Sequence, residues 1–310
     1  MRRVLVAVGA ATVAALLAGC AAASGGPSDS SGGKLLKVVA TTTQVQDFTR
    51  VIGGGRISLT GILKPNVDPH DYEPSPADLD AIARANVLVI NGVGMEKWLD
   101  DTVKSAGFHG TTVDTSKGVV IRRGASSEEQ PAGDPHIWQN PMNAKVMVAN
   151  IERALAAADP ADAAYFERNL DAYTAKLSAL DAEVARQLDS LANKKIVTNH
   201  DAFGYYIDRY HLDYVGSIIP SFDTSAELSA KDVADIVAKI KTTGVKAIFS
   251  ESSLPPKTAE TIANEAHVKV VEGENALYGD TLGPAGSDGA TYLQMIEHNT
   301  RTIVSNLSST

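Results

Sequence analysis

A run of apolar residues at steps of three and four constrains this chain more than any other feature: Phe166, Leu170, Tyr173, Leu177, Leu180, Val184, Leu188 and Leu191. That spacing keeps one face of a helix apolar, and no Gly or Pro interrupts it. Pro160 stands near its start, where a missing N–H does little harm, and Asn193 follows its end. The run predicts one helix over 160–192. At 1.5 Å per residue it would reach roughly 45 Å, more than the width of one small lobe. A helical hairpin or a coiled-coil segment is the alternative. The unbroken pattern favours a single rigid spine between two halves, with little hinge motion.

Both halves alternate between strand and helix patterns. Short β-rich runs occupy 35–41, 57–63 and 87–91, with a helical stretch at 76–85. The habit returns at 194–199, 214–219, 245–250 and 268–271. Between two of these lies 229–242, with Val233, Ile236, Val237 and Ile240 at helical spacing. Such alternation indicates an α/β fold: two (β/α) lobes with mainly parallel sheets. The lobes are expected over 35–159 and 193–310.

The first residues carry an address. Arg2 and Arg3 precede an apolar run over 4–19, which is followed by Cys20. A positive start, a short apolar stretch and small residues at its end read as a secretory signal over 1–19. The run is shorter than the ~20 residues that a spanning helix usually needs. Leu17-Ala18-Gly19-Cys20 also resembles a bacterial lipobox, in which the cysteine becomes the lipidated first residue. Cys20 is the one cysteine in 310 residues, so a disulfide within the chain is excluded and no thiolate is left for metal. Residues 21–34 are small and polar and read as a flexible tether. These features predict export and a lipid anchor at Cys20, on the outer face of the cytoplasmic membrane. The chain is acidic, with formal charge −9. That argues against nucleic acid or anionic lipid as a partner.

Three histidines have distinctive settings: Asp-Pro-His-Asp at 68–71, Asp-Pro-His at 134–136 and Asn-His-Asp at 199–201. Each follows a segment that can end a strand or loop, where open α/β sheets place their ligands. Imidazole nitrogen is a good donor to divalent first-row metals, and three such groups with one carboxylate complete a tetrahedral site. His70 and His136 belong to the first half and His200 to the second, so the cleft between lobes is the natural meeting place. Asp280, in a glycine-containing loop, and Glu251, after the 245–250 strand, compete for the carboxylate position. Asp71 and Asp201 read either as turn residues or as acceptors of the second imidazole N–H, and Trp138 either as a core filler or, preferably, as a wall of the cleft beside His136. His109, His211, His267 and His298 lack comparable settings and read as surface or core residues.

Five ordered signatures carry a family resemblance. They are Asp-Pro-His-Asp-Tyr-Glu-Pro-Ser-Pro from 68, Asn-Gly-Val-Gly-Met-Glu-Lys-Trp-Leu at 91–99, and Asp-Pro-His-Ile-Trp-Gln-Asn-Pro from 134. Asn-His-Asp-Ala-Phe-Gly-Tyr-Tyr from 199 and Leu-Tyr-Gly-Asp-Thr-Leu from 277 complete the set. In these the chain resembles the zinc/manganese substrate-binding lipoproteins of ABC importers, over nearly all of its length beyond the tether. The resemblance implies two lobes joined by a long helix, and a metal held by His70, His136, His200 and Asp280. It implies a membrane permease as partner. Within the family the third ligand position is histidine or glutamate, and histidine goes with zinc. His200 therefore points to Zn2+ ahead of Mn2+, in line with the preference of nitrogen-rich tetrahedral sites. Many zinc members carry a histidine-rich loop before the second ligand; residues 122–133 hold no histidine, so that auxiliary site is not expected, and the stretch reads as a mobile surface loop.

The expectation is a monomeric, extracytoplasmic zinc-capture protein that is not an enzyme, with a metallochaperone as a further candidate partner. A secreted zinc hydrolase is disfavoured because neither an HExxH pair nor a close His-x-His pair is present. A surface adhesin with a structural metal is the other rival.

Overall fold

The computed structural model describes residues 34–123 and 132–308. The expected signal segment, Cys20, all of the tether except Lys34, and 124–131 of the expected surface loop lie outside the described residues. Among the described residues no helix is long and apolar enough to cross a membrane.

The first half contains β1 (Leu36–Ala40), α1 (Thr43–Gly53), β2 (Ile57–Gly61), α2 (Pro76–Ala83), β3 (Val87–Ile90), α3 (Leu99–Ala106) and β4 (Thr111–Asp114). Then come α4 (Pro141–Ala158) and α5 (Ala163–Asp189). The second half contains β5 (Lys195–His200), α6 (Gly204–Tyr210), β6 (Asp213–Ile219), α7 (Ala230–Thr243), β7 (Ala247–Phe249), α8 (Lys257–Ala266), β8 (Lys269–Val271) and α9 (Tyr292–Leu307).

Each half builds one sheet with every pairing parallel, in the orders β2-β1-β3-β4 and β6-β5-β7-β8. The order is the same in both: the first strand of each half is flanked by the second and the third. This makes a switch point between β1 and β3 and another between β5 and β7, where successive connections leave in opposite directions and a crevice opens at the carboxyl ends. Continuous apolar strands such as Val87–Ile90, buried at every position, suit sheets covered on both faces.

Local chemistry sets the helix starts. Ser75 and Ser229 each accept from the backbone N–H three residues on, and Asp78 and Asp232 reach back to the cap residue. These capping boxes satisfy N–H groups that lack partners within the helix. Pro76 sits in the first turn of α2, where its fixed φ fits.

The long helix is 27 residues, about 40 Å at the usual rise. It is trimmed at both ends relative to 160–192. Asp162 N–H bonds to Asp159 O, making Pro160 part of a turn rather than of the helix. The far end stops at Ser190, before Asn193 accepts from Lys195 N–H at the entry to β5. Its apolar face buries Phe166, Tyr173, Leu177, Leu180, Val184 and Leu188. The spine is thicker than one helix, because α4 and α9 pack along α5 and α1 packs against all three. One apolar core accordingly runs through both halves, from Val38, Val89 and Trp138 through Leu177 to Ile196, Phe249 and Tyr292.

Candidate metal centre

Four side chains converge at the carboxyl ends of the two sheets. His70 lies in the connection after β2, His136 between β4 and α4, His200 at the last position of β5, and Asp280 after β8. One donor atom from each lies within 4.8 Å of all the others, and all four residues are buried. His136 Nε2 is 3.3 Å from His70 Nε2 and 3.4 Å from His200 Nε2. The Asp280 carboxylate lies 3.5 Å from His70, 3.2 Å from His136 and 3.2 Å from His200. A tetrahedron with the 2.0–2.1 Å arms of zinc–nitrogen and zinc–carboxylate bonds has edges of about 3.4 Å. His136 Nε2 stands at that spacing from both other imidazoles, and one or other Asp280 oxygen stands near it from each ring, within a set no wider than 4.8 Å.

Each donor is held from behind. Asp134 Oδ1 accepts from His136 N–H at 3.0 Å, and lies 2.7 Å from its Nδ1. Glu251 Oε1 does the same for His200, at 3.1 and 2.8 Å. With Nδ1–H donated backward, Nε2 is the ring atom turned toward the centre, free to bind an ion once it gives up its proton. The backbone at His70 is set by Asp68, whose Oδ1 accepts from His70 N–H and whose Oδ2 accepts from Thr224 across the cleft. Asp280 belongs to the second half but is anchored by the first. Gly279 O accepts from Trp138 Nε1 and Gln139 Nε2, and Leu282 N–H donates to Thr43. A Cβ at Gly279 would fall 1.8 Å from Glu251 Oε2, so glycine is what lets this loop and the Glu251 carboxylate coexist.

His136, His200 and Asp280 perturb one another strongly. Burial disfavours imidazolium at His136, but Asp280 and Asp134 outweigh it and push the pKa up to about 9. His200 is raised well above its ordinary value for the same reason: Asp280 and Glu251 overcome burial. Burial would raise Asp280, yet His200 and His136 hold it well below the usual carboxylate range. Imidazolium at His136 and His200 and carboxylate at Asp280 thus favour one another, and a cation can take the place of those protons.

The four expected residues meet, and Glu251 stands behind His200 rather than among the converging donors. Asp71 and Asp201 do not have the role expected of them. Asp71 is exposed, and neither carboxylate bonds an imidazole among the described residues. Asp134 and Glu251 hold those positions, because Asp134 lies two residues before His136 and β7 lies beside β5. Trp138 is fully buried, with its ring centroid 5.4 Å from that of His136 in an edge arrangement. It belongs to the apolar core and also edges His136, so the filler and wall readings coincide. His211 and His267 end α6 and α8 in left-handed conformations. His109 is exposed, and His298 is buried beside Ala276 O.

The family model for the zinc-uptake complex component A, periplasmic, matches residues 38–306. The chain belongs to this family. It is 32% identical over 272 residues to the iron ABC transporter substrate-binding lipoprotein MtsA of Streptococcus pyogenes, covering 84% of this chain and 86% of that protein. It is 30% identical over 279 residues to the manganese ABC transporter substrate-binding lipoprotein PsaA of Streptococcus anginosus, covering 87% and 89%. Among solved structures, the periplasmic zinc-binding protein TroA of Treponema pallidum aligns with a TM-score of 0.81 and 29% identity, over 89% of this chain and all of that one. This member of the family is therefore a metal ABC transporter substrate-binding protein and not an enzyme.

Proposed function

We propose that the chain captures zinc between its two sheets through His70, His136, His200 and Asp280, and delivers it to an ABC permease. The observation that carries this reading is the buried convergence of three imidazole nitrogens and one carboxylate, with one donor atom from each within 4.8 Å of all the others. Nitrogen-rich tetrahedral sites favour zinc over the oxygen-preferring, higher-coordinate manganese. Four protein donors close the coordination sphere and leave no position for an activated water, which separates capture from hydrolysis. The electrostatics agree: a cation takes the place of the protons that Asp280 favours on His136 and His200.

Relatives whose names specify manganese and iron support a second reading, in which the same centre takes one of those ions. The lipobox-like Leu17-Ala18-Gly19-Cys20 and the relatives named lipoproteins support a lipid anchor outside the cytoplasmic membrane, beside the permease.

Competitive titration of metal-free protein with zinc, manganese and iron(II), beside His200→Ala, tests the proposal. One tight zinc equivalent, lost in the variant and not displaced by stoichiometric manganese or iron, is the expected result. Preferential manganese or iron binding overturns the choice of ion. Zinc binding unaffected by His200→Ala overturns the site.

A further inference from the structure

Arg122 lies just after the β4 connection, half-buried, and its guanidinium joins two carboxylates. Nη1 pairs with Asp134 Oδ2 at 2.5 Å and Nε with Asp208 Oδ2 at 2.7 Å. The same guanidinium lies over the Tyr205 ring, 5.6 Å from its centroid. Arg122 N–H donates to the Tyr205 hydroxyl at 3.0 Å, and that hydroxyl donates to Asp134 O at 3.0 Å. Arg122 O accepts from Asp134 N–H. Tyr205 and Asp208 both sit on α6, the helix that follows His200. Gly204 opens that helix, and a Cβ there would fall 1.6 Å from Arg122 Nη1. Its φ is not in the left-handed region, so glycine at 204 is needed for space rather than for backbone freedom.

Asp134 is therefore shared. One oxygen faces His136 and the other faces Arg122. A carboxylate with no solvent exposure needs both sides satisfied, so the guanidinium decides how firmly Asp134 stays against His136. The other end of that guanidinium is fixed to the helix behind His200. We propose that Arg122 is a positioning residue of the metal centre: it clamps the Asp134–His136 pair to α6 and so slows departure of a bound ion. The inference rests on the metal-site reading above. Asp208 is well exposed, so its half of the clamp is screened by solvent, and its effect should be the smaller one. Carboxylates that orient metal-bound histidines typically change affinity by about 10- to 100-fold when lost. A change in what holds such a carboxylate should be smaller, on the order of 3- to 10-fold in release rate.

The test strips zinc from the loaded full-length chain with excess chelator and follows the rate. Gly204→Ala displaces the flexible end of Arg122 without changing any charge, Asp208→Asn releases only the α6 side, and Arg122→Gln removes the clamp. All three should release zinc faster, Asp208→Asn least. Gly204→Ala combined with Arg122→Gln should be no faster than Arg122→Gln alone. Melting of the metal-free variants separates positioning from bulk stability. Lower melting temperatures with wild-type release rates overturn the proposal, as does an additive effect in the double variant. Failure of the wild-type chain to take up one tight equivalent of zinc, manganese or iron(II) refutes the metal-site reading itself, an outcome distinct from equal release rates among loaded proteins.

Discussion

Replacing Glu251 by Gln asks whether this carboxylate orients His200 or binds the ion itself. Glu251 is almost fully buried. Its Oε1 accepts from His200 N–H and lies 2.8 Å from Nδ1, while Oε2 has no hydrogen-bond partner and abuts the space beside Gly279. Gln has nearly the same shape and can still accept through its carbonyl oxygen, so the His200 contact is weakened rather than abolished. What disappears is the negative charge that makes His200 a stronger donor. Loss of such a carboxylate typically costs about 10- to 100-fold in metal affinity, or about 1.4–2.8 kcal/mol. His200→Ala removes a donor atom and should cost considerably more. Competition against a chromophoric chelator of known affinity at fixed pH measures both. If Glu251→Gln stays within about twofold of wild type, the orienting role is wrong. If it loses as much as His200→Ala, Glu251 coordinates the ion and the argument from donor spacing fails.

The centre's proton balance gives a pH prediction. His136 is raised to about 9 in the metal-free protein, so its imidazolium adds stability that is fully present below its ordinary value of ~6.5 and is lost as pH rises through about 9. The metal-free chain should therefore lose melting temperature from pH 6.5 to 9, while apparent zinc affinity rises by up to about tenfold per pH unit for each proton displaced. Calorimetry in buffers of different ionisation heat at pH 7.5 should register proton release; flat zinc affinity across that range would contradict the site. Gly279→Ala should weaken zinc binding without altering any donor, because its methyl group must push Glu251 from His200; wild-type affinity in a titration would show that the loop gives way instead. Trp138→Phe removes the Nε1–H bond to Gly279 O and leaves a cavity at a fully buried position, and should destabilise the fold by roughly 1–3 kcal/mol in denaturant unfolding. Its zinc release rate should rise because the Asp280 loop loses an anchor, and an unchanged rate would argue that Gln139 alone suffices.

Much of this arrangement was legible in residue order, and the gaps have physical causes. Runs such as Val87–Ile90 and the periodic face of α5 identify themselves, because strand and helix impose different spacings on buried residues. The strand Thr111–Asp114 was not expected: it is short, and its first two residues are exposed. The histidines were conspicuous through their Pro- and Asp-rich settings, but their supports were not. Asp71 and Asp201 adjoin His70 and His200 in sequence, whereas Glu251 reaches His200 because β7 pairs with β5. Strand order is a property of the assembled sheet, and no local pattern announces it. Arg122 and Gly204 are similarly silent, since the one acts through a contact across 86 residues to Asp208 and the other through absent volume.

The core that passes unbroken from the first sheet to the second also decides how the molecule comes apart. Two halves with separate interiors could melt independently. A shared interior couples them, and disrupting either half exposes apolar surface of the other. An ion bound at the seam then acts as a ligand of the whole native state, and its binding energy is felt by every amide that exchanges only through global unfolding. Slowly exchanging amides in β1 and in β7 should gain the same protection on loading, although they belong to different sheets, and the loaded chain should melt in one transition.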